Sequence, residues 1–388
     1  MARKIFYSSL VMFVFLGGIF LWRRYSLGEI FSQKTTEVEI KTTNLANENS
    51  SVNDPSGQKK SNTFLSENEK SIQKLIEGPV LGPVLAADEK KILYYANQNI
   101  MQADLDGKNR SSLGAYPFSS VEEVFWSSQK NWAILKDAGG YVFFNLEKEE
   151  FIAFPQATEL LFWGNLNGQF FYEYQDLKTG RRILDASFSL TGKPWEEIVD
   201  LPYGKAQVAL HPFKNEGLFF PDPKISQAGE IFKINFSTKE KTKFLDYYHG
   251  MDFLISPSGK KILESYRKKD GRISLGLVDW ETGSFQDLNF PTSVKKCVWT
   301  KNEKEVLCAA ILSAENVVLP EDWENKRGSF GDIFWRINVQ NGKQTRLLEL
   351  GTEEKTDAEK LFLDKEEKNL FFLDRLSGGL FKIVLAQN

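Results

Sequence analysis

The chain has 388 residues, 26% of them charged, and a formal net charge of -3. So weak a field gives no reason to expect nucleic acid as a partner. With only two histidines and two cysteines, a histidine-based catalytic system or a cysteine-rich metal site is not expected, and neither is a cofactor.

Taken from the N-terminus, the first element is Ile5–Trp22, IFYSSLVMFVFLGGIFLW, a run of 18 residues without a charge. As a helix it spans about 27 Å, close to the thickness of a hydrocarbon core. Arg3 and Lys4 precede it and Arg23 and Arg24 follow it, with no small-x-small cleavage site. Residues 1–24 therefore read as an uncleaved signal anchor, and the balance of flanking charge places the N-terminus in the cytoplasm. Residues 25–70 follow as a linker. Within it Asn44–Asn62 carries one Leu and one Val as its only large aliphatics, too little to offset the entropy of ordering it.

Residues 71–388 read as one all-β domain. Seven times, an apolar residue is followed eight positions later by another across a polar turn. The first members are Leu85, Trp126, Trp163, Leu210, Ile255, Trp299 and Leu363; the second are Leu93, Ile134, Phe171, Leu218, Leu263, Leu307 and Phe371. First members lie 41, 37, 47, 45, 44 and 64 residues apart, a period that predicts a seven-bladed β-propeller. Later turns such as Asp106-Gly107, Thr282-Gly283 and Asn341-Gly342 suit tight hairpins. The last repeat ends without a fourth strand. Residues 72–77 (IQKLIE) are expected to supply it and close the ring, although Ser66-x-x-Glu69 ahead of Ile72, Leu75 and Ile76 also fits a short helix.

Ser256-Pro257-Ser258-Gly259-Lys260-Lys261 resembles the turn of TolB-type, WD-like propeller repeats, and Ile100–Gly107 is similar to their third strand and its turn. The resemblance covers about residues 80–388. It implies a binding platform, often for proteins at the cell envelope, and supplies no catalytic residues.

Local features refine this reading. If the sixth repeat turns on Asn302 and Glu303, pairing outward sets Cys297 opposite Cys308, so the pair is either a cross-strand disulfide or two buried thiols. A bridge fits an oxidising compartment, hence a propeller outside the cytoplasm. His211 and His249 fall on opposite faces of the ring and do not share a site. Asp104-Leu105-Asp106-Gly107 lacks the downstream Glu of a calcium loop. No Gly-x-Ser-x-Gly elbow or phosphate loop occurs.

Connections between second and third strands lengthen in blades three to six, most of all at Ser313–Gly331. Long loops on a rigid scaffold commonly carry binding. Trp323, Lys326 and Arg327, with Arg181, Arg267 and Lys268 on the same rim, are the candidate binding residues; the bland alternative is a solvated loop. The expectation is a membrane-anchored, extracytoplasmic, non-enzymatic platform for a protein or an envelope polymer. The alternatives are a propeller-type glycoside hydrolase or lyase, or a scaffold for membrane assembly.

Overall fold

A computed structural model of the protein describes residues 72–385 apart from short segments at 117–120, 156–157, 167, 191–193, 203, 205, 222–229, 246–251, 312–318, 320, 326, 328–330 and 349–355. The segment expected to be an anchor, Ile5–Trp22, the expected linker and His249 lie outside the described residues. Among those described, no helix is long and apolar enough to cross a membrane.

The described chain forms seven four-stranded antiparallel sheets. Six are built from consecutive strands: residues 81–115, 123–153, 160–201, 206–245, 252–287 and 297–348. The seventh combines Ala358–Leu363, Asn369–Asp374 and Leu380–Val384 with Ile72–Ile76, which pairs with the last of these from Ile72 opposite Ile383 to Ile76 opposite Leu380. The strand reading of 72–77 therefore holds over Ile72–Ile76, and the ring closes by joining its two ends. Leu75 and Ile76 are buried, so the closing strand covers an edge that would otherwise be open to pairing with other chains.

Why these segments form blades follows from their alternation. The inner strands of each blade present apolar residues on both faces, and each face meets the neighbouring sheet. The clusters of buried residues accordingly straddle pairs of blades. Leu263 and Leu275 of blade five pack with Trp299 and Val306 of blade six. Leu307 and Phe334 of blade six pack with Leu370 and Phe372 of blade seven. Leu373 and Leu380 of blade seven pack with Ile92 and Tyr94 of blade one. Three of the repeat-defining positions are tryptophans that add a polar lock. The indole N–H groups of Trp126, Trp163 and Trp299 donate to the carbonyls of Gly82, Phe125 and Leu254, each on the innermost strand of the preceding blade.

Antiparallel alternation gives the ring two faces. One carries the first hairpin turn of every blade and the third hairpin turns of blades one to six. The other carries the connections between second and third strands and between blades. Because Ile72 sits opposite Ile383 near the end of a third strand, the chain enters the ring on the face of the first turns.

Those first turns are tied from blade to blade. Glu303 accepts from the backbone N–H and hydroxyl of Ser258 one blade earlier, and Glu367 accepts from Lys301 N–H in the same sense. Both glutamates have positive φ, at 55° and 54°. Blade five has Gly259 at the matching place, with φ +77°, because a Cβ there would lie 2.2 Å from Nε2 of His211. His211 is itself buried and accepts from the N–H groups of Phe213 and Lys214 at 3.1 and 2.8 Å through Nδ1. That pattern leaves the proton on Nε2, and burial lowers the pKa of the ring. His211 caps its own turn.

Gly259→Ala is expected to cost about 1–3 kcal/mol in urea unfolding, from left-handed backbone strain plus the clash. In a His211→Ala background the same change should cost less, since only the backbone strain remains.

Candidate functional site

The site begins at a short connection between blades five and six. Val294–Lys296 makes one 3₁₀ turn, capped by Ser293, whose hydroxyl accepts from Lys295 N–H. The turn delivers two adjacent lysines to the face of the long connections and then enters the first strand of blade six at Cys297. Cys297 and Cys308 are opposite one another, as the hairpin register requires, and are joined by a disulfide with Cα atoms 4.1 Å apart. The bridge lies within the core between blades five and six.

Lys296 is fully buried. Its Nζ lies 2.7 Å from Asp332 Oδ2 and 2.6 Å from Asp357 Oδ1. Asp332 opens the third strand of blade six and Asp357 ends the connection into blade seven. Asp332 Oδ2 also accepts from Ala358 N–H at 2.6 Å. One ammonium thus serves two carboxylates in a dry interior. Burial pushes the Asp332 carboxyl up to about 6, with the Asp357 charge adding to the effect and Lys296 opposing it.

The blade-six insertion closes over this triad. Its described part includes a four-residue helix, α1 (Glu321–Glu324). The helix turns Trp323 downward, leaving it 2% exposed. Its indole N–H donates to Asp357 Oδ1 at 2.8 Å, and its ring centroid is 5.1 Å from Lys296 Nζ and 4.0 Å from the Arg375 guanidinium. Arg375 also donates to the Trp323 carbonyl at 2.7 Å. Beside it, Glu324 meets Lys295 at 2.7 Å, and Lys295 reaches Asp252 at 3.4 Å. Partial burial works against the charge of Lys295, but Asp252 and Glu324 outweigh it and hold its pKa above the ordinary lysine value. Arg267 in blade five donates to the carbonyl of Leu319 at 2.6 Å. The described part of the insertion, at Leu319, Trp323 and Glu324, is therefore pinned by charged contacts from blades five, six and seven.

The residues expected from the sequence fall into different environments. Trp323 is packed into the underside of the insertion, and Arg267 supports the insertion from blade five. Arg327 is open to solvent, its side chain 72% exposed and 3.5 Å from Asp322. Arg181 is occupied by Glu197 and Asp200 on its own blade, and Lys268 by Asp287 and Asn289. Lys326 lies outside the described residues. Sequence reasoning missed Lys296, Asp332, Asp357 and Arg375, because single charged residues in polar connections carry no mark of burial.

A second unanticipated group is Glu264, on the second strand of blade five (Lys261–Arg267) and 3% exposed. It pairs across to Phe253 and Gly276. A Cβ on Gly276 would meet the Phe285 ring at 2.3 Å and Glu264 Oε1 at 3.1 Å, so the glycine makes room for both. Glu264 Oε2 has no hydrogen-bond partner among the described residues. Desolvation alone pushes the carboxyl up to about 8.

Among the described residues, no group of three His, Cys, Asp or Glu side chains converges to hold a metal ion. In the Lys296 triad the ammonium already fills the place between the carboxylates, so that donor set does not fit one either.

No family model matches the chain, and no curated protein matches it. Solved structures do. An oligogalacturonate lyase in complex with manganese aligns over 83% of this chain and 95% of its own, with a TM-score of 0.60 and 14% identity. The Cps50 (Swd1) β-propeller domain of Myceliophteria thermophila aligns over 82% of this chain and 100% of its own, with a TM-score of 0.54 and 10% identity. TolB from Acinetobacter baumannii aligns over 81% of this chain and 66% of its own, with a TM-score of 0.37 and 12% identity. The lyase corrects one expectation. A propeller of this layout is an enzyme, so the repeat architecture gives no ground for the non-enzymatic reading; chemistry resides in side chains grafted on the ring. What the first two likenesses support for this chain is the β-propeller fold, whose seven blades are its own seven sheets.

Proposed function

We propose that the chain is a membrane-anchored propeller that binds a protein or an envelope polymer on the face of the long connections, outside the cytoplasm. The observation that carries this reading is the pinned insertion. Burying Lys296 with two carboxylates is costly compared with an apolar core of the same volume. A merely solvated loop has no need of such a foundation, whereas a recognition loop gains from being held in one position before its partner arrives. Arg327 then stands exposed on a fixed base. The Cys297–Cys308 bridge supports an oxidising compartment.

Crosslinked pull-down from intact membranes tests the binding. Arg327→Glu is expected to remove or weaken a specific set of partners, while a charge reversal at Lys148, on a third hairpin turn of the opposite face, leaves them in place. An identical partner set for Arg327→Glu and the parent chain defeats this face as the site. Thiol labelling of intact cells under non-reducing conditions tests the compartment: the two cysteines should resist labelling until a reductant is added.

A further inference from the structure

On the opposite face, blades six and seven part to leave a cleft of about 340 Å³, near the lower end of the ~300–1,000 Å³ usual for small-molecule sites. Leu307, Leu363 and Leu385 are its apolar lining, and the remaining lining residues are polar. Arg336 lines it from the third strand of blade six, set between Leu307 and Thr345. The Arg336 side chain is only 20% exposed, and its carboxylate neighbour Glu305 stands 3.6 Å away. That pair is made through Nε, which is buried and too far from Glu305 for a hydrogen bond. With Nε turned towards Glu305, the outer Nη1–Nη2 edge is the one that can take two parallel bonds from a carboxylate.

The neighbouring amides extend the pattern. Asn302 Oδ1 is already committed to Thr300 and Lys304 N–H, and Asn338 Oδ1 to the N–H groups of Gln340 and Asn341. Each amide is thereby oriented, leaving its NH₂ group as the remaining donor. Glu305 and Glu367 add acceptors to the same cleft. Donors and acceptors beside an apolar patch suit a hydroxyl-rich ring that sets part of its C–H face against the leucines. The two glutamates disfavour a dianionic phosphate, and a small amino acid would leave the amides unpaired.

We propose that this cleft binds a single-ring sugar acid, its carboxylate on Arg336 and its hydroxyls on Asn302, Asn338 and the two glutamates. Titrating the folded chain with sodium glucuronate, and separately with glucose, glycine and inorganic phosphate, tests this by calorimetry. Saturable glucuronate binding is expected, about tenfold or more tighter than glucose. Arg336→Gln should lower glucuronate affinity by about tenfold or more and erase the preference over glucose. Asn338→Ala should weaken both sugars, and it decides the matter if Arg336→Gln does not fold. The proposal fails if glucuronate shows no saturable binding, if glycine or phosphate binds as tightly, or if both variants fold and bind like the parent.

Discussion

Lys296→Met is expected to destabilise the propeller by about 3–5 kcal/mol at neutral pH, because it strips the cation from two buried carboxylates. Methionine matches the length of the lysine stem, so cavity formation contributes little, and the loss reports the charges left behind. Asp332 and Asp357 then share a dry site with no counter-ion, and Trp323 loses one of the two cations against its ring. The effect depends on pH in a definite sense. Protonating Asp332, whose carboxyl burial already raises to about 6, removes part of the uncompensated charge, so the gap between variant and parent should narrow as pH falls from about 7.5 to 5. Urea unfolding at the two pH values measures this. Adding Asp332→Asn to Lys296→Met should restore part of the loss, since one buried charge then disappears with its partner. Equal losses at both pH values would refute the charge account and leave packing as the cause.

The ring was legible because its cause is periodic. A blade needs apolar residues on both faces of its inner strands, and the eight-residue spacing from Leu85–Leu93 to Leu363–Phe371 marks each hairpin of first and second strands. The cysteine register followed from counting outward from Asn302 and Glu303, since a one-residue slip would turn the apolar set to the wrong face. The αL glutamates at Glu303 and Glu367 were present in the turns but unremarkable, because their partners lie a whole blade earlier in the chain. The same non-locality hid the site. Lys296, Asp357 and Arg375 come from three separate connections and Asp332 from the start of a strand, and nothing in Ser293–Cys297 distinguishes a lysine fully buried from one in solvent. Trp323 was noticed for the right chemistry, as a large ring near cations, but the helical turn of α1 aims it inward. Exposure of a loop tryptophan is set by the turn beneath it, which composition does not encode.

Glu264→Gln is expected to leave stability nearly unchanged at pH 5 and to raise it by a few kcal/mol at pH 9, on the order of 2–4. The sign follows from the carboxyl at about 8 in the folded chain against a reference of 4.5. A raised pKa means that the native state holds a proton the unfolded state releases. Between about 4.5 and 8 the unfolded chain therefore gains charge while the folded chain does not, and stability falls as pH rises through that window. Below it both states are protonated and the glutamate behaves as a neutral acid. Glutamine keeps the shape beside Phe285 and over Gly276 while removing the titration. Unfolding midpoints in urea from pH 5 to 9 should thus slope downward for the parent, and the part due to Glu264 should vanish in the variant. Parallel curves for the two proteins would mean that Glu264 ionises in contact with solvent or with an unseen cation. A natural sequence rarely keeps a buried acid without a partner, so confirmation of the slope would mark the gap between blades four and five as a place where stability yields to another requirement.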